Sequence, residues 1–289
     1  NSMREDMVSV TSKKDREDWI VQLNNALELE RHVVGVKFLY TKEEFEKADV
    51  NQLKSFLPYC VMVKSAASGA SLKASKENFG CPDGAVSLGI YEPLKEGFED
   101  REPDYFVSGK RYAEPGVYKD LETSQKTMEH IVILKKKAYG ILLRPLEKFE
   151  EEPDVVILIA DTYNMMRLVQ GYSYEYGTFN NYRLAGNQAI CSESTAYPFV
   201  NNNINISLLC SGTRQNSKWK DSELAMGMPY HMFPKVLNGL YQTINPLVRD
   251  EVKARIEKNM KDTNQEIIKI VYGTNYDSGI YRFGEKGVK

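Results

Sequence analysis

Histidine is scarce in this chain, with three in 289 residues. His32, His130 and His231 lie too far apart for the two-turn spacing of a helical metalloprotease motif, and they fit no nucleophile–base–acid order. An excess of one charge is lacking too. With 38 basic and 40 acidic residues the net charge is −2, so no general field draws the molecule to nucleic acid or to an anionic membrane. No run approaches the ~20 apolar residues of a membrane helix. The longest, Val155-Val-Ile-Leu-Ile-Ala160, has the length and β-branching of a buried strand. The start shows no basic-then-apolar leader. Asn1-Ser2 ahead of Met3 reads as an expression scar, and the cytoplasm follows as the default compartment. The glycine spacings of a P-loop and of a dinucleotide fingerprint are missing as well. A small-molecule ligand or a redox partner remains as the expected company, with no nucleic acid and no membrane.

What is present is the composition of a folded protein, 42% hydrophobic and 27% charged. Helical spacing of Trp19, Leu23 and Leu27 predicts a first helix from Asp15 to Arg31. His32 to Tyr40 reads as a strand, and Thr41 as the cap of a short acidic helix. Cys60 to Ala67 is helix-like and stops at Gly69. Residues 92 to 116, rich in proline, glycine and charge, read as loop. Tyr118 to His130 is expected to be helix, and Ile131–Lys135 with Tyr139–Arg144 a strand pair around a solvated lysine run. The acidic stretch Glu147 to Asp154 is the candidate boundary. Beyond it come strand Val155 to Ala160, helix Tyr163 to Gly171, and Tyr172, Tyr174 and Tyr176, whose period of two puts three phenols on one strand face. Ile204 to Cys210 reads as strand, and His231 to Lys258 as helix broken at Pro246. The fold class is α/β, mixed α+β. It is expected as two similar halves, 3–149 and 150–272, each with a mixed sheet and packed as one unit, followed by an irregular tail, 273–289.

The halves echo each other. Strand Val33 to Leu39 leads to a helix opening Tyr59-Cys-Val-Met, and strand Val155 to Ala160 to one opening Tyr163-Asn-Met-Met. A cysteine then opens each small-residue segment, Cys81-Pro-Asp-Gly-Ala85 and Cys191-Ser-Glu-Ser-Thr-Ala196. An internal duplication would bring equivalent cysteines to a shared interface, a common place for ligands.

These motifs, with Val34-Gly-Val-Lys-Phe38, Leu88-Gly89, Pro145-Leu-Glu147, Pro153-Asp-Val-Val156, Asn205-x-Ser-x-x-Cys210-Ser-Gly-x-Arg214 and Met226-Gly-Met-Pro229, resemble an uncharacterised archaeal and bacterial family of unknown function labelled ArCR. The resemblance covers about Val33 to Leu240. It implies a complete unit rather than a fragment, and it implies no activity.

Two chemistries and a plain packing role stay open for Cys60, Cys81, Cys191 and Cys210. In a reducing compartment they are free or metal-bound rather than paired as disulfides. Four thiolates suit an iron–sulfur cluster or tetrahedral zinc. Thiols at helix N-termini would have a lowered pKa and serve redox or nucleophilic chemistry. Free cysteines also simply fill cores. Ser211-Gly-Thr-Arg214 is a small-residue turn whose amides and arginine would hold a carboxylate or phosphate. Tyr174 and its neighbours would line a pocket for a flat cofactor. The leading expectation is a cytoplasmic metal-binding or redox accessory protein, with iron–sulfur cluster or zinc on the four cysteines and Arg214 orienting a ligand. The alternative is a metal-free protein or enzyme for a small anion or flat cofactor, using Ser211, Arg214 and Tyr174.

Overall fold

The computed structural model describes residues 10–90 and 103–273. The expected tail, from 274 on, and residues 91–102 of the expected loop lie outside them. The first elements are α1 (Lys13–Leu27), β1 (Val34–Leu39), α2 (Lys42–Lys47), α3 (Tyr59–Ala67), β2 (Leu72–Ser75), α4 (Pro82–Ser87), α5 (Pro103–Val107), α6 (Lys110–Ala113), α7 (Leu121–Met128) and β3 (Gly140–Pro145). There follow β4 (Val155–Asp161), α8 (Thr162–Tyr176), the π-helix Ala189–Ala196, α9 (Tyr197–Asn201), β5 (Asn205–Ser207) and α10 (Ser211–Ser217). The last described elements are β6 (Glu223–Pro229), α11 (Phe233–Gln242), α12 (Ile244–Leu247) and α13 (Asp250–Asp262). None of the described helices is long and apolar enough to cross a membrane.

Among the described residues six strands form one sheet in the order β2-β3-β1-β4-β6-β5. Every ladder in it is antiparallel, which corrects the expectation of mixed sheets. The two proposed halves share this sheet, because β1 pairs directly with β4, Gly35 opposite Val156. The order reads the same from either edge when β1, β2 and β3 are exchanged for β4, β5 and β6.

β4 shows why its sequence is apolar without alternation. Val155, Ile157 and Ile159 face one core, while Val156, Leu158 and Ala160 face another. A strand covered on both sides has no polar face to show. The second core is closed by α1, α8, α11 and α13, the first by α3, α4 and the π-helix.

The acidic connector is fastened by a buried cation. Arg16 is fully buried in α1 and donates to the carbonyls of Phe149 (3.0 and 3.2 Å) and Glu150 (3.0 Å). It also donates to Thr11 Oγ1 (3.2 Å) and to the hydroxyl of Tyr230 (3.1 Å). Arg16→Met would leave those carbonyls buried without donors, a loss of about 3 kcal/mol or more. The expected result is a lower urea midpoint with an unchanged slope; an unchanged midpoint would show that the carbonyls find other donors.

Several local expectations need correction. Tyr172, Tyr174 and Tyr176 belong to α8, which runs on to Gly177, so residues two apart point to different sides. Tyr172 is buried and stacks on Tyr176 with centroids 5.0 Å apart, while Tyr174 is 55% exposed. Ile131–Lys135 is not a strand. Leu134 N–H bonds instead to the Ser87 carbonyl, which ties this stretch to the end of α4. The strand expected to reach Cys210 stops at Ser207, because Leu209 takes a left-handed φ of 63° that breaks the extended run.

Candidate functional site

The four cysteines come from four elements on the same side of the sheet. Cys60 is the second residue of α3, and Cys191 lies in the first turn of the π-helix. Cys81 and Cys210 are the N-cap residues of α4 and α10. Cys81 follows β2 and Cys210 follows β5, while Cys60 and Cys191 each precede an edge strand. α3 packs on α10, and α4 on the π-helix.

All four are free and partly buried. Ionisation of Cys191 is opposed first by burial, then by the charges of Cys81, Cys210 and Cys60 in turn. Cys60 feels Cys210, and Cys81 feels Cys60. Thiols up to 150 positions apart in the chain therefore share one electrostatic neighbourhood. A Cβ on Gly84 would lie 3.8 Å from the Cβ of Cys191 and 4.0 Å from that of Cys81, so one point between α4 and the π-helix sees both.

The helix N-termini do not activate Cys60 or Cys81. Burial pushes Cys60 up, and pushes Cys81 from 9.0 to about 11 with help from the Asp83 carboxylate. The bond from the Gly84 amide opposes this and loses. α4 spans only six residues, too short for a strong dipole to offset desolvation. In the metal-free chain Cys81 at pH 8 should alkylate with iodoacetamide roughly 100-fold more slowly than an unfolded cysteine, because the thiolate is the nucleophile. The same shift sets a stability trend. The unfolded thiol loses its proton near pH 9 and the folded one near pH 11, so stability present below pH 9 declines between those values. Peptide mapping of labelled protein checks the rate; ordinary labelling of Cys81 would contradict the burial.

A π-helix of eight residues is unusual, and such segments gather at functional sites. Polar bonds hold this one in place. Glu193 accepts from Ala185 N–H (2.7 Å) and the Ser207 hydroxyl (2.6 Å), and burial raises its pKa. Asn205 donates to the Glu193 carbonyl at 2.9 Å. Tyr59 and Thr195 hydroxyls meet at 3.1 Å, joining α3 to the π-helix.

Beside Cys81 runs a polar chain that spacing did not suggest. Arg111 pairs with Asp83 at 2.6 Å, Tyr112 donates to Asp83 at 2.9 Å, and Gln188 donates to the Tyr112 hydroxyl at 2.5 Å. The one sequence signal for this region is Gly227 inside β6. An isolated strand glycine marks a close backbone approach, and here the approaching group is the Ser194 carbonyl of the π-helix.

The other candidates are placed differently. Arg214 is held by three backbone carbonyls, Lys220 (2.8 Å), Leu208 (2.7 Å) and Glu223 (3.0 Å), so its guanidinium closes the α10 loop. Ser211 is the exposed first residue of α10, not part of a free turn. Tyr174 stands on α8, across the sheet from α10. The structure does not bring these three residues together. Among the described residues, no three histidine, cysteine or carboxylate side chains are arranged to hold a metal ion.

Comparison with known proteins adds kinship without an activity. A family described as uncharacterised ArCR matches residues 22–239. An uncharacterised protein of Methanocaldococcus jannaschii is 25% identical over 224 residues, covering 77% of this chain and 91% of its own. No solved structure matches.

Proposed function

The chain belongs to the uncharacterised ArCR family, and we propose that its four cysteines form the site of a soft-metal centre, an iron–sulfur cluster, in a redox or accessory protein of a reducing compartment such as the cytoplasm. The observation that carries the reading is that the four cysteines lie on one side of the sheet, with the Cβ atoms of Cys191 and Cys81 only 3.8 and 4.0 Å from one point at Gly84.

Four thiolates suit an iron–sulfur cluster or tetrahedral zinc, and as the side chains stand no three described ligands are arranged around one ion. The raised thiol pKa values do not oppose this. A bound metal takes the place of the proton, so loading releases protons and strengthens as pH rises. Burial then holds the centre away from water, one of the levers on its potential. Such a centre would supply one-electron transfer. The protein's own part is to hold four sulfurs from two pairs of helices on a rigid sheet.

Anaerobic purification followed by iron, acid-labile sulfide and zinc analysis tests the reading. Iron and sulfide in comparable amounts, with visible absorption bleached by dithionite, is the expected result. Zinc alone would replace the cluster with a structural ion. Protein free of all three, before and after anaerobic reconstitution, would leave the cysteines as packing for the core they line.

A further inference from the structure

A cavity of about 540 Å³ lies over β1 and β3 beside α2, lined in part by Phe38, Tyr40, Leu142 and Phe149. It shares none of the four cysteines. Five carboxylates line it against three cations. Asp154 is one of the five, with one oxygen, Oδ2, held by the Phe38 N–H at 2.7 Å.

Two of the lining rings already hold cations of the chain itself. Lys136 Nζ sits 3.5 Å from the centre of the Tyr40 ring, and the Arg144 guanidinium lies 5.4 Å from that of Phe149. Both are side chains of long reach on β3 or just before it, and Lys136 is exposed. A ring face holds a cation by its quadrupole, and most strongly where water is partly excluded. The volume suits a small ligand with an apolar body; Glu150 is paired with Lys13 and Glu151 lies 3.7 Å from Lys37, and the rings that hold cations suit a positive group better than an anion. Because no three of the described carboxylate, cysteine or histidine side chains converge on an ion, a bare metal is not the fitting occupant.

We propose that this cavity binds a small organic amine, its apolar body on Leu142 and Phe149 and its ammonium group between Asp154 and the Tyr40 ring, in the place Lys136 now fills. The site stands independently of the thiols.

The test uses the full chain and two probes of like shape, 2-phenylethylamine and 3-phenylpropionate, followed by backbone amide NMR. The amine should shift the Phe38, Tyr40 and Asp154 amides saturably, and the acid should not. Asp154→Asn should weaken the amine by about tenfold or more, since one charged hydrogen bond is lost, and Tyr40→Leu should weaken it as well. If Asp154→Asn fails to fold, the Tyr40 variant and the amide map of the unaltered chain decide. No shift with the amine, equal shifts with the acid, or shifts centred elsewhere would each overturn the proposal, as would folded variants that bind undiminished.

Discussion

Cys191→Ser should reduce the iron and sulfide taken up on anaerobic reconstitution at least about tenfold, the scale on which metal sites respond to altered shells. Cys191 lies in the first turn of the π-helix, beside α4 and its N-cap Cys81, so its loss removes one of the four proposed ligands. The companion variant is Cys210→Ser. The Cys210 sulfur accepts the Thr213 N–H at 3.4 Å as the N-cap of α10. Serine is among the preferred N-caps, so this change should hold or raise the thermal midpoint while lowering metal content. The two variants thus separate ligation from folding. A Cys191→Ser protein that is folded and keeps its full iron would remove the cluster reading. A Cys210→Ser protein that keeps its iron while Cys191→Ser loses it would limit the ligands to three.

How far these features were readable in the chain depends on their range. β4 was legible because six successive apolar residues allow little else than a strand buried on both faces. The cap at Thr41 was legible because capping is local chemistry: its side chain accepts the Glu44 N–H. Tyr172 to Tyr176 misled because alternating tyrosines match a strand period, whereas the helix running through Met165 and Leu168 continues past them. Ile131–Lys135 looked like a strand by composition, but a strand needs an edge to pair with, and the edge beside β3 is occupied by β2. The gathering of the cysteines could be posed from sequence only as a question. Its answer depends on the β1–β4 ladder, which joins residues some 120 positions apart, and on the packing of α3 against α10. The polar chain from Arg111 to Gln188 left no trace in spacing, because its members meet only after α6 and the π-helix are both docked. The π-helix itself was hidden, since Cys191-Ser-Glu-Ser-Thr reads as a small-residue segment until Asn205 and Ser207 are seen to bind Glu193 from outside.

Gly227→Ala should destabilise the protein by about 3 kcal/mol or more, and it should do so through the cysteine site. A Cβ at this position of β6 would lie 1.9 Å from the Ser194 carbonyl oxygen and 2.6 Å from its carbon. Neither atom is the end of a flexible side chain. Relief requires the π-helix to move off the sheet by more than an ångström, and overpacking of this kind in a rigid interior is costly. Moving the π-helix would disturb three supports at once: the Asn205 bond to the Glu193 carbonyl, the Ser207 bond to its side chain, and the meeting of Tyr59 with Thr195. Each fixes where Cys191 stands. Gly212→Ala is the matched control. It lies two residues from Cys210, and nothing lies within 4 Å of its added Cβ, so stability should hold or improve slightly as helix propensity rises. Denaturant unfolding of both variants, with metal content measured on the same samples, gives the comparison. If Gly227→Ala matches the parent in both stability and metal, then the close approach of the π-helix does not position Cys191.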